Sequence, residues 1–250
     1  MISLSRYAEL FRAPELRATF AASILGRLPI GVATLAILLF VQARAGSFAL
    51  ASLAAACYVL GLAAAAPLLG RVIGRFGPRP VLAACAVAYP LMLLALVGLA
   101  LDTAAAAALP VAALLAGAVL PPITACMRAL YPRLVSDVGL LSAAYSVDSA
   151  LVEAIFIAGP ALVSAFIALE AHAAAVLFAA GCGAAGAAIF LRSPGVRRWS
   201  VRPTGARRAL PGAWRCAGLP AVFAATFFYS AAFGLYEIAV VARATDHGSP

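Results

Sequence analysis

Long apolar runs dominate the chain, and they end at clusters of Arg, Pro, Gly or Asp instead of alternating with polar residues at the two-residue spacing of a half-buried sheet. Crossing a bilayer core of about 30 Å takes about 20 helical residues. Seven runs reach that length: Leu16–Val41, Ser47–Leu69, Val81–Leu101, Ala104–Leu130, Leu140–Leu169, Ala171–Leu191 and Ala217–Ala242. Helix is the only open form that pairs every backbone N–H and C=O within its own segment, so runs of this length predict transmembrane helices. The first run is too long for a signal-peptide core and no convincing cleavage site follows it, so it is expected to stay as a span. Before it, Leu4, Tyr7 and Phe11 recur at helical spacing and predict a short amphipathic helix over residues 3–12 on the membrane surface.

Composition supports this reading. The 250 residues are 65% hydrophobic and 11% charged, and the mean hydropathy is +1.05, far from the balance of soluble domains. The net charge of +9 raises the question of nucleic acid, and the positions of the charges answer it. Every basic residue is Arg. If the N-terminus is cytoplasmic, fifteen of the eighteen arginines fall in the cytoplasmic segments or at the cytoplasmic ends of the spans, Arg17 and Arg128 among the latter, against Arg44 and Arg243 outside and Arg27 deep within a span. Basic residues accumulate on the cytoplasmic side of membrane proteins, so the basicity orients the chain and no nucleic-acid partner is expected. Cys57, Cys85, Cys126, Cys182 and Cys216 include no C-x-x-C pair, which predicts neither a disulfide framework nor a metal site. No cofactor is expected.

Six spans fill residues 1–191. Residues 192–215 hold seven Arg, three Pro and three Gly, the composition of a basic cytoplasmic linker. Residues 216–250 hold the seventh span, which would leave the chain outside the membrane at Pro250 with no partner helix. The expectation is therefore an incomplete second half, whose remaining helices lie in the same or a separate chain.

Between spans two and three stands Gly70-Arg71-Val72-Ile73-Gly74-Arg75-Phe76-Gly77-Pro78-Arg79-Pro80. It resembles the G-x-x-x-D-R-x-G-x-R-R signature of the major facilitator superfamily, in the place where that family carries it. Gly70, Arg75, Gly77 and Arg79 match; Gly74 replaces the acid and Pro80 the last basic residue. In span five, Gly159-Pro160 is similar to the start of the G-P-x-x-G-G element of the family's antiporters, with Val163 and Ser164 in place of its last two glycines. The resemblance implies the first six-helix half of a transporter plus the first helix of its second half, working by alternating access around a small-molecule site near the membrane midplane. It also implies that Gly70, Arg75, Gly77 and Arg79 form a cytoplasmic gating loop, where the missing acid removes one latch contact.

Charge within the spans gives an independent pointer to a site, because an ionisable residue at mid-membrane costs about 2.5–3.5 kcal/mol on insertion scales and normally faces a cavity or a partner. At 1.5 Å per residue, Arg27 and Glu153 lie about 16–20 Å beyond the cytoplasmic starts of spans one and five, Asp148 about 12 Å, and Glu237 near the outer surface at about 27–30 Å. Tyr145, Ser149 and Glu153 share one helical face. The expected site is a polar cavity lined by Arg27, Tyr145, Ser149 and Glu153, with Glu153 binding a proton or cationic group and Arg27 pairing with it or binding an anion. Asp148 and Glu237 are secondary candidates. Pro29 and its neighbouring glycines are expected to break span one and aim Arg27 inward, and Gly159-Pro160 to kink span five. Gly181-Cys182-Gly183-Ala184-Ala185-Gly186 spells G-x-G-x-x-G without a preceding strand, so it predicts close helix packing.

The sequence thus points to an all-α, multi-pass protein of a bacterial inner membrane, with a six-helix bundle, a seventh transmembrane helix and a cytoplasmic N-terminus. The expected function is secondary transport of small molecules, with proton-coupled efflux favoured. The alternatives are a truncated, non-transporting fragment or scaffold and, with no catalytic constellation in view, an integral-membrane enzyme.

Overall fold

A computed structural model describes residues 14–101, 107–199, 218 and 220–232. The chain divides into two compact units, Met1–Val201 and Arg202–Pro250. The first contains α1 (Pro14–Ala45), α2 (Phe48–Phe76), α3 (Pro78–Leu99), α4 (Leu109–Ala118), α5 (Ile123–Leu134), α6 (Val138–Ala168), α7 (His172–Arg192) and the short α8 (Pro194–Arg197). Six spans of membrane length result, with α4 and α5 together making the fourth. Between them, Val119–Pro122 leave the helix; Pro121 and Pro122 supply no N–H to the preceding turn, so the ladder stops there. One unbroken span was expected in this place, and a break at Pro29. Instead α1 runs through Pro29 and α6 through Pro160 as continuous helices.

Tight connections keep neighbouring helices antiparallel. Ser47 caps α2, its hydroxyl accepting from the Leu50 N–H at 3.3 Å, and Asp137 caps α6 by accepting from the Leu140 N–H at 2.7 Å. Gly77 alone separates α2 from α3. Its φ of 88° and ψ of 169° suit only glycine, and Pro78 then opens α3 with a φ already set for a helix. The expected loop 70–80 is therefore mostly helix: α2 continues seven residues past its apolar run, carrying Gly70, Arg71, Gly74 and Arg75 as its final turns. The starts of α1, α3 and α6 and the ends of α2, α5 and α7 share the end of the bundle that carries most of the arginines.

Lipid is as apolar as a leucine side chain, so helices associate in a membrane by close packing of small residues. Glycine provides this at four crossings. A side chain at Gly31 would strike the Ile155 carbonyl and one at Gly159 the Gly31 carbonyl, so α1 and α6 touch backbone to backbone. Gly61 and Gly117 bring α2 and α4 together in the same way, against the Leu114 and Tyr58 carbonyls. Gly186 lies on the backbone of Gly26, and Gly183 faces the ring of Tyr89. The glycines of span six thus pack helices, as their composition predicts, apart from Gly181, which meets nothing. Gly70 likewise has open space beside it, so close approach does not explain that signature glycine.

The core forms two clusters. One, toward the Gly46 end, gathers Ile37, Phe40, Tyr58, Tyr89, Leu93 and Leu96 among others. The second, toward the arginine-rich end, gathers Phe20, Leu82, Ile123, Met127, Tyr131 and Phe190. In α1 the first begins at Val32 and the second ends at Ala22, leaving Arg27 between them.

In the second unit the described residues form α9, Pro220–Ala232, an exposed apolar helix within the expected seventh span. Glu237, the rest of that span, most of the linker and residues 3–12 lie outside the described residues.

Candidate functional site

Thr19, Ser23 and Arg27 recur every four residues on α1, and all three are fully buried, so the helix turns a polar stripe into the bundle. Ser23 satisfies itself locally, its hydroxyl donating to the Phe20 carbonyl at 2.8 Å. Arg27 cannot do the same. Its Nη1 donates to Asp148 Oδ1 of α6 at 2.6 Å, with both side chains at 0% exposure. Two residues of α5 complete the cluster. Tyr131 donates its hydroxyl to Asp148 Oδ1 at 2.6 Å, and Arg128 donates Nε–H to Asp148 Oδ2 at 3.0 Å from a half-exposed position.

Burying a charge is costly unless it is paired and hydrogen-bonded, and Asp148 meets that condition with three donors from two helices, α1 and α5. The partner expected for Arg27 was Glu153; the structure pairs it with Asp148. The reason is directional. Side chains of a helix lean toward its N-terminus, so the long guanidinium of Arg27 lies below its own Cα, toward the arginine-rich end. Asp148, the shallower of the two acids counted along the chain, stands at that level. Glu153 occupies a different face of α6, exposed and with no ion-pair partner among the described residues.

That exposed face has a chemistry of its own. Ser142, Ser149 and Glu153 are exposed and Tyr145 and Ser146 half-buried, all on one side of a helix otherwise rich in Ala, Ile and Val. A groove of about 510 Å³ runs along its first three turns, lined by Val138, Leu141, Ser142, Tyr145, Ser146 and Ser149. Tyr145 links the groove to the cluster: its hydroxyl donates to the Arg128 carbonyl at 3.1 Å, and its ring meets the Tyr131 ring edge-on at 5.4 Å. The Tyr131 ring in turn stacks on Phe20 at 5.4 Å.

Of the expected residues, then, Tyr145, Ser149 and Glu153 share one face, while Arg27 sits behind it with Asp148. Arg75 and Arg79 are exposed on either side of the Gly77 turn, and the Arg75 guanidinium lies 5.1 Å from the Phe76 ring centre. Pro29 is buried inside α1. Sequence reasoning left out Arg128 and Tyr131. Counted from the apolar run alone, Arg128 belongs to the end of span four. Its spacing of three from Tyr131, which puts both on one helical face, was the available signal.

Fold and site together define a polytopic α-helical membrane protein that encloses an ion-paired cluster between its spans. The family model of the Major Facilitator Superfamily matches residues 19–248, and the chain belongs to that family. No curated protein and no solved structure matches it. Membership makes it a membrane transporter, embedded in the lipid bilayer and acting on small molecules.

Proposed function

We propose that the chain forms the substrate-binding part of a proton-coupled exporter of small, partly apolar molecules in the bacterial inner membrane. The observation that carries this reading is the row Ser142, Tyr145, Ser146, Ser149 and Glu153 on the open side of a membrane-length helix. A carboxylate on that side is costly against lipid and suits a wet pathway. Glu153 takes up the proton there, Tyr145 and Ser149 offer hydroxyls to the cargo, and Arg27 stands behind them paired with Asp148. Gly159-Pro160, shared with the family's antiporters, supports export as the direction. At the arginine-rich end, taken as cytoplasmic, Arg75 and Arg79 around the Gly77 turn make the gating contacts, and Gly74 leaves the missing acid's latch to other groups.

The test is transport in inside-out vesicles carrying the complete transporter, driven by an imposed pH gradient. Glu153→Gln is expected to abolish gradient-driven accumulation while leaving the protein folded. A Glu153→Gln transporter with unchanged rate and pH dependence would overturn the assignment.

A further inference from the structure

Asp148 spends both oxygens on three donors, yet it balances only one of the two guanidinium groups that reach it. The cluster therefore holds one positive charge in excess. Arginine carries five N–H donors, and of the three nitrogens of Arg27 only Nη1 has a partner. Its Nε and Nη2 are buried with none. These two nitrogens form the side-on fork of the guanidinium, whose parallel N–H bonds match the two oxygens of a carboxylate or phosphate. A buried donor left unpaired is destabilising, and here two stand side by side in the geometry of one two-oxygen acceptor. Arg128, half-exposed and engaged through Nε alone, adds a second cation on the solvent-accessible side of Asp148. Beside this charge the Tyr131 ring stacks on Phe20 and meets Tyr145 edge-on, so the surroundings of the cluster are aromatic and suit an apolar or aromatic body.

We propose that the cluster of Arg27, Asp148 and Arg128 binds a single anionic group of the cargo, a carboxylate or phosphate on an apolar or aromatic body. The free fork of Arg27 takes the two oxygens, and the half-exposed Arg128 meets the anion first. This rests on the transport reading above and makes the cargo an organic anion. Arg27 is enclosed in the state described, so the anion reaches its fork when α1 and α6 part during the transport cycle.

The purified chain in neutral detergent, free of lipid phosphate, is titrated with sodium benzoate, sodium acetate and sodium phosphate at matched ionic strength. Benzamide and benzylamine serve as neutral and cationic counterparts, and the thermal unfolding midpoint is recorded. A saturable rise with benzoate or phosphate, absent with chloride, benzamide and benzylamine, is expected. Arg128→Gln, a half-exposed change, is expected to weaken the response roughly tenfold, the equivalent of one charge-assisted bond. Arg27→Lys keeps the charge but removes the fork and is expected to abolish it; if that variant does not fold, Arg128→Gln decides. Anions that act no differently from chloride, or an Arg128→Gln titration like that of wild type, overturn the proposal. A phosphate response without a benzoate response assigns the site to phosphate or phospholipid headgroups and overturns the organic-anion assignment. A complete transporter that runs on a pH gradient while its chain shows no anion response refutes this site alone. Anion binding by a chain whose complete transporter moves nothing refutes the transport reading alone.

Discussion

Arg27 of α1 and Asp148 of α6 meet at 2.6 Å with neither side chain exposed, 121 positions apart in the chain. The pair ties the first and fifth spans together below the point where Gly31 and Gly159 bring their backbones into contact. Removing one member of a buried ion pair leaves the other charge uncompensated, typically at a cost of about 3–5 kcal/mol. Asp148→Asn leaves both Arg27 and Arg128 without a counter-charge. It is expected to lower the unfolding midpoint by many degrees and reduce the folded yield on size-exclusion chromatography. Glu153→Gln, on the exposed face, is expected to leave both unchanged; equal losses for the two variants would mean that the buried pair carries no special structural weight.

Two glycine-to-alanine changes are expected to act with opposite sign. At Gly31 the new methyl would meet the Ile155 carbonyl, and overpacking of this kind typically costs about 1–3 kcal/mol. At Gly70 it meets nothing within contact range, and alanine inside a helix gains about 0.5–1 kcal/mol over glycine. Thermal unfolding of the two variants side by side decides this, and a stabilised Gly31→Ala would contradict the backbone contact between α1 and α6.

The turn at Gly77 gives a third expectation. With φ at 88° and ψ at 169°, a residue bearing a Cβ is held in a region essentially reserved for glycine, at a cost of about 1–3 kcal/mol. Gly77→Ala is therefore expected to destabilise by that amount, whereas Gly74→Ala, in a helical turn with open space beside it, is expected to be neutral or stabilising. Chemical unfolding followed by far-ultraviolet circular dichroism distinguishes the two.

Sidedness is expected from the distribution of the arginines. Single cysteines placed at Arg79 and Ser136 in a background without native cysteines are expected to be shielded from an impermeant thiol reagent added outside intact cells. Cysteines at Gly46 and Glu170 are expected to react. The reverse pattern would invert the topology without changing the fold.

Much of the architecture was legible in the sequence for a thermodynamic reason. A helix in lipid must be apolar along its length and must satisfy its own backbone, so the apolar run states where each span lies. The arginines mark one end of the bundle because they resist transfer into hydrocarbon. These are properties of single segments. Helix ends were less legible: α2 runs on to Phe76 through Arg71 and Arg75, since arginine forms helix well once outside the hydrocarbon. Gly77, the residue that stops it, gave no periodic signal.

Interior partnerships were not legible. Depth counted along the chain matched Arg27 with Glu153, because such a count follows Cα atoms and takes no account of the direction in which a long side chain leans. Which acid lies opposite the guanidinium depends on the rotation and offset of α1 against α6, and these are set where Gly31 meets Gly159. Likewise the break in the fourth span at Val119–Pro122 puts Arg128 and Tyr131 on a separate helix, α5, whose packing carries both to Asp148. The sequence by itself determined the six spans of the first unit, the end they share their charge on and the need for a buried partner for Arg27. Only the tertiary structure decided that the partner is Asp148 and that one fork of the arginine remains free, because a pairing between distant segments is a property of their packing.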